Sequence, residues 1–544
     1  MPEPTDQTTI GKGRGFRQIA GSTLIVMIAF AAAKLLSLVQ TVVITQNFGL
    51  SDEWDAFVAA NRIPELIFTL IAGGALSHAF IPIFSGLLTR GETQHAWRTA
   101  SHIINSIFVV TFCISLLVFI FAPWLVTHVV ASGFEARWQS ETAMLMRILL
   151  LGTLIFSVSG IVMGILQSHQ HFTLPALAPL CFDVGILFGV LVLAPRWGAR
   201  GIATGAVIGA AAHLWIQVPG LIHYRARWWP QLGWRDPLLW RVVRLMLPRV
   251  AGLGVFSLNF LIMTNLASRL GSGSVSALDW GWRLMQIPQT LLGTALGTVI
   301  FPTLAALNER GDQEGKRASF AGSLRMLIVT CIPATAGLLI IGQPLLSLLE
   351  RGAFDASATQ LVYFCLQFFA LGLLAHAALE VVARSFYAEQ DTLTPLWAAL
   401  LGAALNLFLA LWFSGVLLGR PNQQRVGGLA LANTLGVILE VTLLLWWLRR
   451  RWRDIGQREL WQSTRCATLA TLVMAAVLWL SHTLWHAAIP RNLGSNLALV
   501  GVQCLLGLSV YLFTAWRLGM QELRELITLW PGRSPAHMEK ESKP

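Results

Sequence analysis

Charge is what this sequence has least of. Asp, Glu, Lys and Arg make up 12% of it, where soluble proteins carry about 25%. With 55% hydrophobic residues, that shortage excludes an ordinary soluble domain and points to an integral membrane protein. The six cysteines (Cys113, Cys181, Cys331, Cys365, Cys466 and Cys504) fall inside or at the edges of apolar runs, and none has CxxC or zinc-ligand spacing. A disulfide framework and a thiolate metal site are therefore not expected; buried, inert thiols are. No GxxxxGK[ST] occurs, so ATP is not the direct energy source. No HExxH or GxSxG occurs either, so no enzyme and no cofactor are expected. Short alternating segments of an outer-membrane barrel are also missing.

What is present is a series of apolar runs of helix length, about 20 residues each. Hydropathy gives about fourteen spans in an all-α integral membrane fold. A polar tail covers 1–18, and the apolar run that begins at Ile19 is longer than a signal-peptide core, so it reads as a retained first helix. Six spans fill 19–222, a linker takes 223–246, and six more fill 247–448. A basic loop (449–466), two further spans (467–517) and a polar tail (518–544) complete the chain.

The net charge of +12 lies mostly between these runs, as topology signals do. One side collects Lys12, Arg14, Arg17, Arg90 and Arg98, the group Arg225, Arg227, Arg235, Arg241 and Arg244, and the run from Arg449 to Arg453. The other side holds only Arg137, Arg196, Arg200, Arg269, Arg351, Arg420, Arg425 and Arg491. The first side is expected to be cytoplasmic, with both termini inside. Nucleic acid is not expected as a partner. Trp228-Trp229 and Trp446-Trp447 read as interfacial anchors.

The chain also repeats itself. Ala75-Leu76 and Pro82 return as Ala295-Leu296 and Pro302, and Gln170 and Pro175 return as Gln390 and Pro395, all at an offset of 220. The offset grows to 227 where Gly201-Ile202-Ala203 aligns with Gly428-Leu429-Ala430. Six spans is an even number, so the two halves point the same way, a parallel repeat about the membrane normal. Two such lobes around a central space make a transporter that works by alternating access; a membrane scaffold is the alternative.

Ionisable groups within spans are costly and usually face a cavity or a partner. Lys34, Asp183 and Glu440 are such groups, serving either a cavity or a pairing between helices. Arg62, Arg147 and Arg283 stand near outer ends, where they either snorkel or draw anions; Arg249 opens the seventh span. Asp279 and Arg283 are spaced to pair on one helical face. Gly73, Gly74, Gly293 and Gly297 allow bending or close helix approach. A diphosphate is a natural ligand for planar guanidinium.

Six segments carry a family likeness: FGLSDEWDAF (48–57), RIPELIFTLIAGGALSHAFIP (62–82), FTLPALAP (172–179), WRLMQIPQTLLGTALGTVIFPTLA (282–305), ERGAF (350–354) and FYAEQDTLTP (386–395). With the spans between them, the chain resembles the MurJ (MviN) family of lipid II flippases. That superfamily also holds multidrug extruders and polysaccharide flippases. The resemblance implies a bacterial inner-membrane protein of peptidoglycan synthesis that moves a polyprenyl-diphosphate-linked sugar from inner to outer leaflet. It places Lys34, Arg62, Arg283 and Asp55 at substrate-binding positions; Asp183, Arg147, Arg249, Asp279 and Glu440 are cavity or coupling candidates by their charge within or at the ends of spans. A monomer is expected, with the lipid-linked substrate, membrane lipids and cell-wall synthesis proteins as partners; with no ATP site, coupling would use an ion gradient or the membrane potential. The sequence departs from the family at Gln40, Thr41, Phe68 and Gly73, where charges are expected, and at Met263, near a carboxylate linked to sodium. Those departures keep three alternatives in view: a flippase for another polysaccharide precursor, a cation-coupled drug exporter, and a non-transporting structural homologue.

Overall fold

The computed structural model describes residues 32–33, 35–71, 75–488, 493–520 and 522. Lys34, Gly73 and Gly74 lie outside the described residues. All regular structure among the described residues is helical, as the hydropathy pattern predicts. The chain divides into two compact units, Met1–Ser276 with Gly352–Phe354, and the remainder.

The first unit opens with α1 (Leu35–Phe48), α2 (Asp52–Ile71), α3 (Ala75–Thr89) and α4 (Thr93–Leu125). It continues with α5 (Ala136–Ser168), α6 (Thr173–Phe188), the short α7 (Ala194–Trp197), α8 (Ala199–Trp215), α9 (Val218–His223) and α10 (Pro237–Ser268). The division falls inside α11 (Ser274–Gln289), whose first three residues belong to the first unit and the rest to the second. The second unit adds α12 (Ala295–Glu309), α13 (Gln313–Ser347), α14 (Ala356–Leu371), α15 (Leu373–Ala388), α16 (Leu393–Phe413), α17 (Val426–Trp452), α18 (Gln457–Ala488) and α19 (Leu493–Arg517).

Ten described helices are long and apolar enough to cross a membrane. Two bent pairs, Pro237–Leu247 with Gly252–Ser268 and Ala356–Leu371 with Leu373–Ala388, raise that to twelve. The first two of the fourteen expected spans run across undescribed residues; their described parts are α1 and the α2–α3 pair.

Aspartates start several helices. Asp236 accepts the Leu238 N–H at 2.9 Å ahead of Pro237, Asp312 that of Gly315, and Asp355 that of Ala358, each at 2.8 Å. Each satisfies an amide that the first helical turn leaves without a partner. In the first unit, Ala56, Ala59 and Ile63 of α2 pack against Leu145, Met146 and Leu149 of α5 and against Ala199 and Ala203 of α8. A second cluster joins Phe80 and Phe84 to Trp97, Ile103, Ile161, Leu239 and Val242. In the second unit α13, α18 and α19 share Val329, Ala470, Met474, Tyr511 and Ala515.

The duplication is visible in the backbone. Gln170 and Gln390 both take left-handed φ, 60° and 61°. Each closes the same turn: His171 N–H donates to the Leu166 carbonyl, and Asp391 N–H to that of Phe386, both at 2.9 Å. This crossed bond caps orphan carbonyls at a helix end. Interhelical contacts repeat too. A Cβ at Gly209 would lie 2.6 Å from the Phe182 oxygen, and one at Gly436 would lie 2.7 Å from that of Gly402. A side chain at left-handed φ costs about 1 kcal/mol. Gln390→Gly is therefore expected to leave thermal unfolding in detergent unchanged or slightly raised, and Gln390→Val to lower it.

Candidate functional site

Two cations anticipated at the substrate are held differently. Arg62 projects from α2 onto α10: its Nε donates to Thr264 Oγ1 at 3.0 Å, and the guanidinium sits 5.7 Å from the Phe260 ring centre. Its side chain is 13% exposed, and its contact with Glu65 is loose at 3.8 Å. Arg283 is far more open, 55% exposed, with Nε 2.6 Å from the nearly buried Asp279 and the guanidinium over Trp280. The expected Asp279–Arg283 pairing one helical turn apart is thus present. It fixes one edge of the guanidinium and leaves much of the head accessible.

Asp55 is held more tightly. It is wholly buried. Its carboxylate accepts the Gly273 N–H at 2.8 Å, the Ser276 N–H at 2.7 Å and the Ser276 hydroxyl. It therefore serves the opening turn of α11. Two residues earlier Glu53 does the same for α8, accepting the Ala199 N–H at 2.6 Å. Glu53 also borders a cleft of about 640 Å³ lined with Arg137, Trp138, Glu141, Arg196 and Arg200. There Glu141 and Arg200 form a two-pronged pair at 2.8 and 2.5 Å.

The other groups are scattered. Arg147 donates from Nε to the Phe119 carbonyl at 3.0 Å and lies over that residue's ring. Asp183 is half-buried on α6. Arg249 lies within α10. Glu440, half-buried midway along α17, faces Gly402 of α16, whose added Cβ would lie 3.5 Å from the carboxylate. It has no hydrogen bond among the described residues. Gly293 lies in the π-helical turn Thr290–Thr294 and packs on Ala377, while Gly297 packs on Arg384 and the Glu380 carbonyl. At Phe68, where the family resemblance places an arginine, the ring packs 5.4 Å from Phe156. Phe156 in turn meets Phe182 and His213.

One cluster was not anticipated. Lys316, buried at the start of α13, places Nζ 2.7 Å from Glu389 and 3.0 Å from Asn308. Arg451 bridges Glu389 at 2.9 Å and Asp391 at 2.8 Å, and Trp452 Nε1 donates to Glu389 at 2.7 Å. Burial pushes the Glu389 carboxyl up, but the hydrogen bonds from Lys316, Arg451 and Trp452 outweigh it and hold the group below its ordinary value. Asp391 is lowered likewise: burial opposes, and Thr394 and Arg451 prevail. The first half fills the matching turn with rings. His169 stacks on Tyr224 at 4.2 Å and on Trp97 at 6.0 Å. Burial holds His169 below the usual histidine range. The signal for both clusters was the repeated turn itself, whose flanking residues differ between the halves.

A family profile described as "Lipid II flippase MurJ" matches residues 44–493. A protein of Burkholderia cenocepacia named "Lipid II flippase MurJ" is 29% identical over 449 residues, covering 80% of this chain and 84% of its own. A "Probable lipid II flippase MurJ" of Vibrio cholerae is 27% identical, covering 85% and 89%. Among solved structures, a lipid II flippase in an inward closed conformation aligns with a TM-score of 0.76 at 22% identity, over 93% of this chain and all of that one. An inward-facing multidrug resistance MATE family transporter of the MOP superfamily aligns at 0.65 and 13% identity, over 78% and 96%. At those identities the structural likeness speaks to the fold.

Proposed function

This chain belongs to the lipid II flippase MurJ family, and on that premise we propose that it moves lipid II from the inner to the outer leaflet by alternating access. The match of the family profile over 44–493 carries the proposal. The task is physical: a diphosphate must cross a layer in which each bare charge costs several kcal/mol. Arg62 and Arg283 are the cations assigned to it. Arg62 is preset by Thr264 and Phe260, and Arg283 is accessible and aimed by Asp279. A planar fork grips phosphate oxygens two at a time. Asp55 is assigned to shaping the start of α11, with its oxygens already engaged. Both termini lie on the cytoplasmic side in this proposal, which the arginine distribution supports. The membrane potential supplies about 2.3 kcal/mol per charge per 100 mV, enough to bias a conformational step.

The test is complementation of a bacterial strain depleted of its own lipid II flippase. Growth is expected with the native chain and is expected to fail with Arg283→Ala and with Arg62→Ala at equal membrane abundance. Growth with both variants would remove these residues from the site. No growth with the well-expressed native chain would favour a second reading, transport of another polyprenyl-diphosphate sugar. The observation behind that reading is the Phe68–Phe156 contact, which puts rings where the resemblance expects charge. Lys34, a further basic candidate, enters the same assay as Lys34→Ala.

A further inference from the structure

The linker ahead of α10 and the first turns of α10 carry five arginines, Arg225, Arg227, Arg235, Arg241 and Arg244, and all are exposed. None has a side-chain hydrogen bond or ion pair among the described residues. Topology alone requires only that such charges exist. Here they are mounted. One face of α4 holds the linker backbone down. Asn105 donates to the carbonyls of Trp229 and Gln231 at 2.7 and 2.9 Å and accepts from Trp228 Nε1 at 2.9 Å. Ser101 accepts the Trp229 N–H at 3.2 Å, and His102 meets Asp236 at 2.9 Å. Gly233 presses so closely on His102 that a Cβ there would collide with the ring. The strap then runs into α10, which buries Leu239 and Val242 and turns Trp240, Leu245 and Leu247 outward. Trp228, Trp234 and Trp240 are 64%, 49% and 51% exposed.

The corresponding basic run of the second half is partly engaged internally, with Arg449, Arg453 and Arg458 left exposed. Arg451 is bound to Glu389 and Asp391, and Arg450 lies 3.8 Å from the Trp446 ring centre. In the first half all five guanidinium groups stay open beside three exposed indoles. Arginine interleaved with exposed indole and leucine suits an interface where anionic headgroups meet hydrocarbon. We propose that this strap is a binding platform for anionic phospholipid headgroups of the inner leaflet. It rests on the orientation proposed above and not on the identity of the transported substrate.

The test uses the purified full chain in mixed micelles of phosphatidylglycerol and phosphatidylcholine, with retained lipid counted by native mass spectrometry. The native chain is expected to enrich phosphatidylglycerol. Changing the five arginines to glutamine should cut that enrichment roughly tenfold. Neutralising Arg98, Arg310 and Arg317 instead should leave it intact. Gly233→Ala keeps every charge but displaces the strap from His102, and should reduce enrichment while thermal unfolding stays cooperative. Equal loss in the control set, or full enrichment in the five-arginine variant, overturns the platform. So does complete competition by millimolar inorganic phosphate, which would mark a site for free phosphate. Micelles have no sides, so a wrong orientation would not affect this result; it would appear in sided labelling of a Leu232→Cys variant.

Discussion

Lys316→Ala is expected to destabilise the second unit by roughly 1.5–3 kcal/mol, because it removes a buried charged hydrogen bond to Glu389. The ammonium is 2% exposed and sits 2.7 Å from Glu389, itself 13% exposed. Removing it leaves Glu389 with Arg451 and Trp452 but empties the space over the Trp452 ring, 4.8 Å from Nζ. Lys316→Met with Glu389→Gln should cost much less, since neither charge then stays behind. Thermal unfolding of the purified variants in detergent, compared as a double-mutant cycle, reads the difference.

The same cluster sets an acid limit. Glu389 and Asp391 are held below their ordinary values in the folded chain. Their contribution is therefore fully present above the unfolded carboxylate range and is lost as pH falls through the lower folded values. Stability of the second unit should be flat near neutrality and decline below about pH 4. In Lys316→Ala the acid loss should be smaller, because one of the bonds lowering Glu389 is gone and its folded value moves back toward the unfolded one. Identical acid profiles for the two proteins would remove Lys316 from the coupling.

The second large effect is at Asp55. Asp55→Ala leaves the amides of Gly273 and Ser276 and the Ser276 hydroxyl buried without their acceptor. Each stranded donor costs about 1–3 kcal/mol, so a loss of several kcal/mol is expected in the first unit. Asp55→Asn keeps one acceptor oxygen and should fall between. Ser276→Ala removes one donor and should cost about 1 kcal/mol. Membrane abundance and unfolding temperature, read with complementation, separate this from a substrate role. A variant that is stable yet inactive would return Asp55 to the binding site.

How much of this was legible beforehand follows from the range of each interaction. Helices were readable because bilayer thickness sets their length and apolar content, and the repeat because both halves kept the same landmarks. The Asp279–Arg283 pair was readable from local spacing. The partners of Asp55 were not: they stand 218 and 221 residues away, and nothing near Gly273 advertises that it needs an acceptor. Lys316 was equally silent: nothing near it in the chain points to Glu389, 73 positions on. Phe68 is the reverse case. Its departure from the family pattern was legible, while the rings it joins come from α5 and α6.

The two left-handed glutamines also carry a history. A strained conformation at Gln170 and Gln390, closed by the same bonds, is hard to acquire twice by chance. It dates the turn to the ancestral half-length gene, before copying. The neighbours tell of a later time. His169 and His171 in one copy, Glu389 and Asp391 in the other, are tenants of an inherited frame. The copies thus diverged by refurnishing a fixed corner, one with rings and the other with charges. Sequence landmarks alone would have ranked that corner among the most alike places in the chain.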